Sequence, residues 1–174
     1  MNAPMNTVIE IPTLVTPRLT LRAFRAGDLD PRATMLADME VMHFLGGKTR
    51  SREETWFTME RDLGQWALRG YGFFAVEVEG GFAGHVGILH LPAWPEPELA
   101  WGLASSFWGR GLATEAAQVA RDWAFSRFGW TRLVSYILPE NIRSRRVAEK
   151  LGAAPQGTIV LRGVVADVWV HSKA

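Results

Sequence analysis

The residues best suited to chemistry in this chain lie in Phe107-Trp108-Gly109-Arg110-Gly111-Leu112-Ala113-Thr114-Glu115-Ala116-Ala117. A short apolar run, Leu99-Ala100-Trp101-Gly102-Leu103, precedes them, and an Ala-rich helical pattern follows. A strand, a glycine-rich turn and a helix N-terminus together make an anion site. Unpaired backbone N–H groups converge there and the helix dipole favours negative charge. Gly109 and Gly111 let the backbone approach a phosphate and adopt conformations closed to other residues. The predicted ligand therefore bears a phosphate. A nucleotide-hydrolase loop needs Gly-Lys-Ser/Thr after its glycines, and no lysine stands there. A dinucleotide-binding fingerprint needs a third glycine where Thr114 stands, and an acidic end to the next strand, which finishes Tyr136-Ile137-Leu138.

The elements that position this loop follow from periodicity. Residues 1–15 read as a flexible lead-in, and 16–174 as a single domain. Leu19 to Phe24 alternates as a strand. Asp28 caps a short helix to about Ala37, and Ser51 with Glu54 forms a capping box for a helix to about Arg69. The apolar face of that helix includes Trp56, Met59, Leu63 and Trp66. Phe73–Glu79 and Phe82–Leu91 read as a hairpin around a Gly80-Gly81 turn. Glu98–Leu103 is a strand, and a helix runs from about Gly109 to Phe128. Ala113, Ala116, Ala117, Ala120 and Ala124 form one stripe on it, small enough to lie close to a sheet. A strand at Arg132–Leu138, a helix at Ile142–Leu151 and strands near Ala154–Leu161 and Val164–Val170 complete the chain.

Composition narrows the function. The 174 residues, 48% hydrophobic and 21% charged, suffice for a full core. A net charge of +1 argues against a polyanionic partner, so neither nucleic acid nor a membrane surface is expected. Zero cysteines exclude a thiol nucleophile and suit a reducing cytoplasm. The four histidines lack metal-ligand spacing, so no metal is expected. His43, His90 and His171 have no evident partner and read as structural or surface residues. No apolar run approaches the ~20 residues of a membrane span, and no secretory leader is visible.

This order of elements, with Trp108-Gly109-Arg110-Gly111-Leu112-Ala113-Thr114-Glu115-Ala116 between a strand and a helix, resembles the GNAT N-acetyltransferase superfamily. Three segments resemble its RimJ/RimL-like branch. They are Thr16-Pro17-Arg18-Leu19-Thr20-Leu21-Arg22, the Trp-Gly-Arg-Gly loop, and Asn141-Ile142-Arg143-Ser144-Arg145-Arg146-Val147 with Glu149-Lys150-Leu151-Gly152. Two departures stand out: Trp108 fills the first loop slot, and Ala153-Ala154 replace an aromatic after Gly152. The resemblance implies an α/β GNAT-type fold, with a central mixed, mostly antiparallel sheet flanked by about four helices. It also implies acetyl-CoA as cosubstrate and a primary amine as acceptor, either a small molecule or a peptide N-terminus; a homodimer is left open.

On that resemblance the residues take roles. Trp108 and Gly109 belong to the cofactor-binding loop, the backbone N–H groups of about Arg110, Gly111, Leu112, Ala113 and Thr114 cradle the pyrophosphate, and the Arg110 guanidinium can add charge. The free edge of Trp101-Gly102-Leu103 can pair with the pantetheine amides. Asn141 is a natural helix cap, and the resemblance places it with Ser144 near the pantetheine arm and the thioester sulfur. Ser144 can donate to the leaving thiolate. Glu98, at the start of its strand, is the first candidate base, and His85 on the neighbouring strand is the second. Trp101 alternates away from Glu98. Trp94 and Trp56 are candidate walls of the acceptor groove, Trp94 also a candidate dimer contact. A rival reading is a catalytically inactive member that binds acyl-CoA as a sensor or scaffold.

Overall fold

The structure is a computed structural model that describes residues 9–173. In chain order its strands are β1 (Leu14–Val15), β2 (Thr20–Arg22), β3 (Phe73–Val78), β4 (Gly81–Leu89), β5 (Glu98–Leu103), β6 (Arg132–Ile137), β7 (Ala154–Leu161) and β8 (Val164–Ser172). The helices are α1 (Leu29–Ala37), α2 (Met39–Met42), α3 (Arg52–Arg69), α4 (Leu112–Phe128) and α5 (Ile142–Lys150). The strands form one sheet in the order β1-β2-β3-β4-β5-β6-β8-β7. Every neighbouring pair is antiparallel except β5 and β6, which run parallel. This is the mixed, mostly antiparallel sheet expected, with one helix more than expected. Residues 1–8 of the predicted lead-in lie outside the described residues. Leu14 and Val15, also predicted in it, pair with Leu21 and Thr20 instead.

Local chemistry explains most boundaries. The Ser51 hydroxyl accepts from the Glu54 N–H at 3.1 Å, and the Glu54 carboxylate accepts from the Ser51 N–H at 2.7 Å, so the capping box opens α3 as predicted. Gly70, at φ 72°, ends it. Asp28 does precede α1, but its side chain caps nothing there. Its carboxylate receives both arms of the Arg22 guanidinium at 2.8 Å and the Arg25 N–H at 2.7 Å. The β3–β4 turn is centred on Glu79 and Gly80, both at positive φ, while Gly81 already pairs with Val78. Two successive positive φ values match the right-handed twist of a hairpin. α2 is a helix the sequence did not announce: its four residues are too few to show a period.

One face of the sheet packs on α4. Ala116, Ala117, Ala120 and Ala124 are fully buried there, among Val86, Ile88, Leu99 and Leu103. On the opposite face Phe73 and Ala75 of β3 pack with Phe24, with Leu29 of α1 and with Met59 of α3. Trp56, predicted on the buried face of α3, is 39% exposed and donates its indole N–H to Glu60 at 2.9 Å.

The sheet loses its regularity at the junction of β5 and β6. Their parallel register is a single pair, Glu98 with Val134. Past that pair, side chains take over the bonds a ladder would make. The Ser135 hydroxyl donates to the Leu99 carbonyl at 2.6 Å, and the Tyr136 N–H donates to Glu98 Oε1 at 3.3 Å. The Ser135 hydroxyl also lies 2.9 Å from Nε2 of buried His171. Since the hydroxyl proton goes to Leu99, the imidazole donates through Nε2–H. Buried backbone groups that lose a strand partner need a substitute, and Glu98 and Ser135 supply it. The two strands can therefore part without orphaning the backbone. His171 is thus tied into the sheet, and His90 into a contact with the Tyr71 hydroxyl at 3.0 Å; the sequence showed neither partner.

Candidate active site

A cleft of about 360 Å³ opens beside this parting of strands. Trp101, Gly102 and Leu103 of β5 line it, with Trp108, Gly109, Gly111, Leu112, Ala113 and Thr114 from the following loop and first helical turn. Asn141 and Ser144 line it from α5. These predicted residues are thus neighbours in space.

The loop has the geometry of an anion cradle. Gly109 and Gly111 sit at φ 74° and 75°, left-handed values that suit glycine. Gly111 is the N-cap of α4 and supplies no side-chain cap. The first intrahelical bond runs from the Glu115 N–H to the Gly111 carbonyl at 3.2 Å. The amides of Leu112, Ala113 and Thr114 precede it and are free to meet an anion, aided by the dipole of a 17-residue helix. Trp108 is anchored by its indole N–H on the Leu103 carbonyl at 2.9 Å. Arg110 departs from expectation. Its side chain does not line the cleft; it lies over Phe107, with the guanidinium carbon 5.7 Å from the ring centroid, and 4.0 Å from Glu79.

The cations that do line the cleft come from α5: Arg143, Arg146 and Lys150. Arg143 stacks on Trp108 at 4.3 Å and pairs with Glu40 at 3.3 Å. Their spacing of i, i+3 and i+7 puts them on one helical face with Val147. That spacing was visible in the sequence, though nothing in it marked the face as lining a cleft. At the helix start the Asn141 side chain accepts the Ser144 N–H at 3.1 Å, so Asn141 is a cap as well as a lining residue.

Glu98 is 8% exposed. Trp94 folds back so that its indole N–H donates to Oε2 at 2.6 Å. Burial pushes the carboxyl up to about 7, against the two hydrogen bonds, which act the other way. No cation pairs with it in a salt bridge among the described residues. The Tyr136 ring lies 6.3 Å from Trp94, and its buried hydroxyl has no partner among the described residues. Burial, then Glu96 and Glu98, pushes that phenol up to about 12. Trp94 therefore packs against the candidate base rather than standing apart as a wall.

His85 pairs across the strands with Gly102, four residues along β5 from Glu98, or about 13 Å. The two candidate bases share a sheet face but do not meet. Neither lines the cleft directly. The Cε1–Nε2 edge of His85 lies behind Gly102: a Cβ built there would come within 3.0 Å of Cε1. Burial, then the Arg32 and Arg61 charges, holds its imidazole well below the ordinary range, and its Nδ1 has no partner among the described residues. On the far side of the cleft, Glu40, Val41, Phe44 and Leu45 supply the wall, from α2 and the turn after it. Trp56 does not reach the cleft. No helix among the described residues is long and apolar enough to cross a membrane.

Comparison with known proteins agrees with this architecture. The chain belongs to the acetyltransferase (GNAT) domain family, whose model matches residues 18–154. It is an N-acetyltransferase of that family. The uncharacterized protein YkkB of Bacillus subtilis (strain 168) is 31% identical over 159 residues, covering 84% of this chain and 87% of its own. The crystal structure of an acetyltransferase from Agrobacterium tumefaciens str. C58 superposes with a TM-score of 0.84 at 32% identity, over 98% of this chain and 100% of that one. RimL, described as a ribosomal L7/L12 alpha-N-protein acetyltransferase in complex with coenzyme A, shares the fold at TM-score 0.76 and 19% identity, over 92% and 96%.

Proposed function

We propose that this protein transfers the acetyl group of acetyl-CoA to a primary amine in the cytoplasm, by direct attack in a ternary complex, as a member of the RimJ/RimL-like branch. The observation that carries the reading is the cleft beside the β5–β6 parting, with an uncapped helix N-terminus at one end and Ser144 on its wall. The amides of Gly111 to Thr114 hold the pyrophosphate. Arg143, Arg146 and Lys150 supply the charge first sought from Arg110. The open edge of Trp101-Gly102-Leu103 receives the pantetheine amides as an added strand would.

The acceptor amine must be neutral to attack. Glu98 takes its proton, directly or through one water. A carboxylate with a pKa of about 7 is a far better base near neutrality than an ordinary one. His85 is a poorer base, since a depressed pKa weakens proton affinity. Ser144 donates to the departing thiolate, whose conjugate thiol has a pKa of only about 8.5 and needs modest help. No cysteine is available to carry an acyl-enzyme.

The acceptor is an α-amine, of a peptide N-terminus or a small molecule. An α-amine, with pKa near 8, asks less of the base than a lysine at about 10.4. RimL's description as an alpha-N-protein acetyltransferase is consistent with this class. The test is a panel of peptides with free and blocked N-termini beside small amines, with release of CoA thiol read by a thiol reagent. A cysteine-free enzyme adds no background. Free α-amines should be the best acceptors. A best acceptor that is a blocked peptide bearing only a lysine amine would overturn the assignment, and no turnover with any amine would favour an acyl-CoA sensor.

A further inference from the structure

We propose that Arg18 is a positioning residue for the donor site, acting as a latch on the loop that binds pyrophosphate. The proposal rests on the assignment of Gly109–Thr114 to that role. Arg18 precedes β2, far from α4 in sequence, yet its guanidinium is bound to the start of that helix. Nη1 donates to the Arg110 carbonyl at 2.8 Å, and Nε donates to Glu115 Oε2 at 2.6 Å. The Thr16 hydroxyl donates to the other oxygen, Glu115 Oε1, at 2.5 Å. A Cβ built on Gly111 would lie 3.6 Å from Arg18 Nη2, so the guanidinium flanks the loop backbone. Arg18 does not line the cleft; with Thr16, Glu115 and Gln118 it borders a separate surface depression.

The latch acts through both geometry and charge. A trans peptide points its N–H opposite to its C=O. Holding the Arg110 carbonyl toward Arg18 therefore aims the Gly111 N–H away from Arg18. Gly111 is a cleft residue, so that N–H serves the donor site. Without the latch this peptide, with the permissive Gly111 on its C-terminal side, can rotate and offer its carbonyl oxygen to a phosphate instead. The charge is that of Glu115, a carboxylate in the first turn of the helix that must receive a dianionic pyrophosphate. Left alone its charge opposes the ligand. Arg18 cancels that charge, and Thr16 and Arg18 hold both oxygens on the side away from the cleft. Three opening residues with no evident chemistry, Thr16-Pro17-Arg18, thereby acquire a task in cosubstrate binding.

The test compares two acetyl donors, acetyl-CoA and S-acetylpantetheine, which lacks the pyrophosphate. Calorimetry and initial rates are measured for the wild type, R18A, R18A/E115Q and G111D. R18A should weaken acetyl-CoA binding about tenfold, the scale of one charge change at a helix N-terminus with its hydrogen bonds. It should raise the KM for acetyl-CoA with kcat retained at saturation, and leave the KM for S-acetylpantetheine unchanged. R18A/E115Q should recover part of the lost affinity, because the unmasked carboxylate is gone. R18M keeps the aliphatic stem and carries the same test if R18A does not fold. Wild-type acetyl-CoA affinity in R18A, alongside lost affinity in G111D, would overturn the latch and leave the loop assignment standing. Equal losses with both donors would reduce Arg18 to a general structural residue and also overturn it. Unchanged affinity in G111D would instead remove the loop assignment itself.

Discussion

Replacing Glu98 by Gln should make the protein more stable and less active, with both effects growing as pH rises. The structure gives the magnitude. Glu98 is buried, with no salt-bridge partner among the described residues, and its pKa rises from 4.5 to about 7. At about 1.4 kcal/mol for each pKa unit, keeping this carboxylate ionised costs the fold about 3 kcal/mol. The sign follows from the direction. A carboxyl whose folded pKa is raised carries no penalty below its unfolded value. The penalty grows between pH 4.5 and 7 and is complete above. E98Q, nearly isosteric and unable to ionise, retains an oxygen for Trp94 or Tyr136 and escapes this cost. Urea unfolding should show E98Q near wild type at pH 5 and more stable by up to about 3 kcal/mol at pH 8. His171 runs the other way. Burial lowers its imidazole to about 4, so its contribution is present above 6.5 and lost as pH falls toward 4. The two slopes partly cancel in the wild type, and only the difference between variants at each pH isolates Glu98. The same substitution removes the proposed base. Wild-type kcat/KM should include a titration near pH 7 that E98Q lacks, with rates lowered by about 10²–10⁴-fold. An E98Q enzyme with full activity from pH 6 to 9, or with no excess stability at pH 8, would refute this account of Glu98.

Other expectations follow from the same geometry. S144A should lower turnover while leaving acetyl-CoA affinity nearly unchanged by calorimetry, because its hydroxyl is assigned to the leaving thiolate rather than to the pyrophosphate. R146A/K150A should weaken acetyl-CoA in a salt-sensitive way, and fluorescence titration at two ionic strengths will reveal a smaller salt dependence than in the wild type. S135A strands the buried Leu99 carbonyl and the His171 N–H together, so denaturant unfolding should show a loss of about 2–4 kcal/mol.

The proposed donor loop was more legible in the sequence than the proposed acceptor side, for physical reasons. Gly109, Gly111 and the Ala stripe of α4 are local signals: a turn chemistry and a helical period that need no knowledge of the rest of the fold. The Ser51–Glu54 box is equally local. Glu98 was picked out by position, but its perturbation depends on Trp94 folding back onto it, a tertiary event no local pattern encodes. Trp56 satisfied the helical period of α3 and still faced solvent, because it sits at the margin of the apolar stripe. Arg110 looked like a phosphate ligand from its place between two glycines; the two left-handed residues turn its side chain out toward Phe107. The α5 cations and the α2 wall became functional candidates only when folding brought both helices to one cleft. Ser135 and His171, far apart in sequence, showed their partnership only in the sheet.

Direct transfer between acetyl-CoA and an amine held together in this cleft is decided by two-substrate initial-rate kinetics on the intact enzyme, with the protein mass recorded after incubation with acetyl-CoA alone. A ternary complex gives intersecting double-reciprocal lines and an unmodified protein. Parallel lines, with an acetyl group found on the protein and passed to the amine at a competent rate, would rule it out.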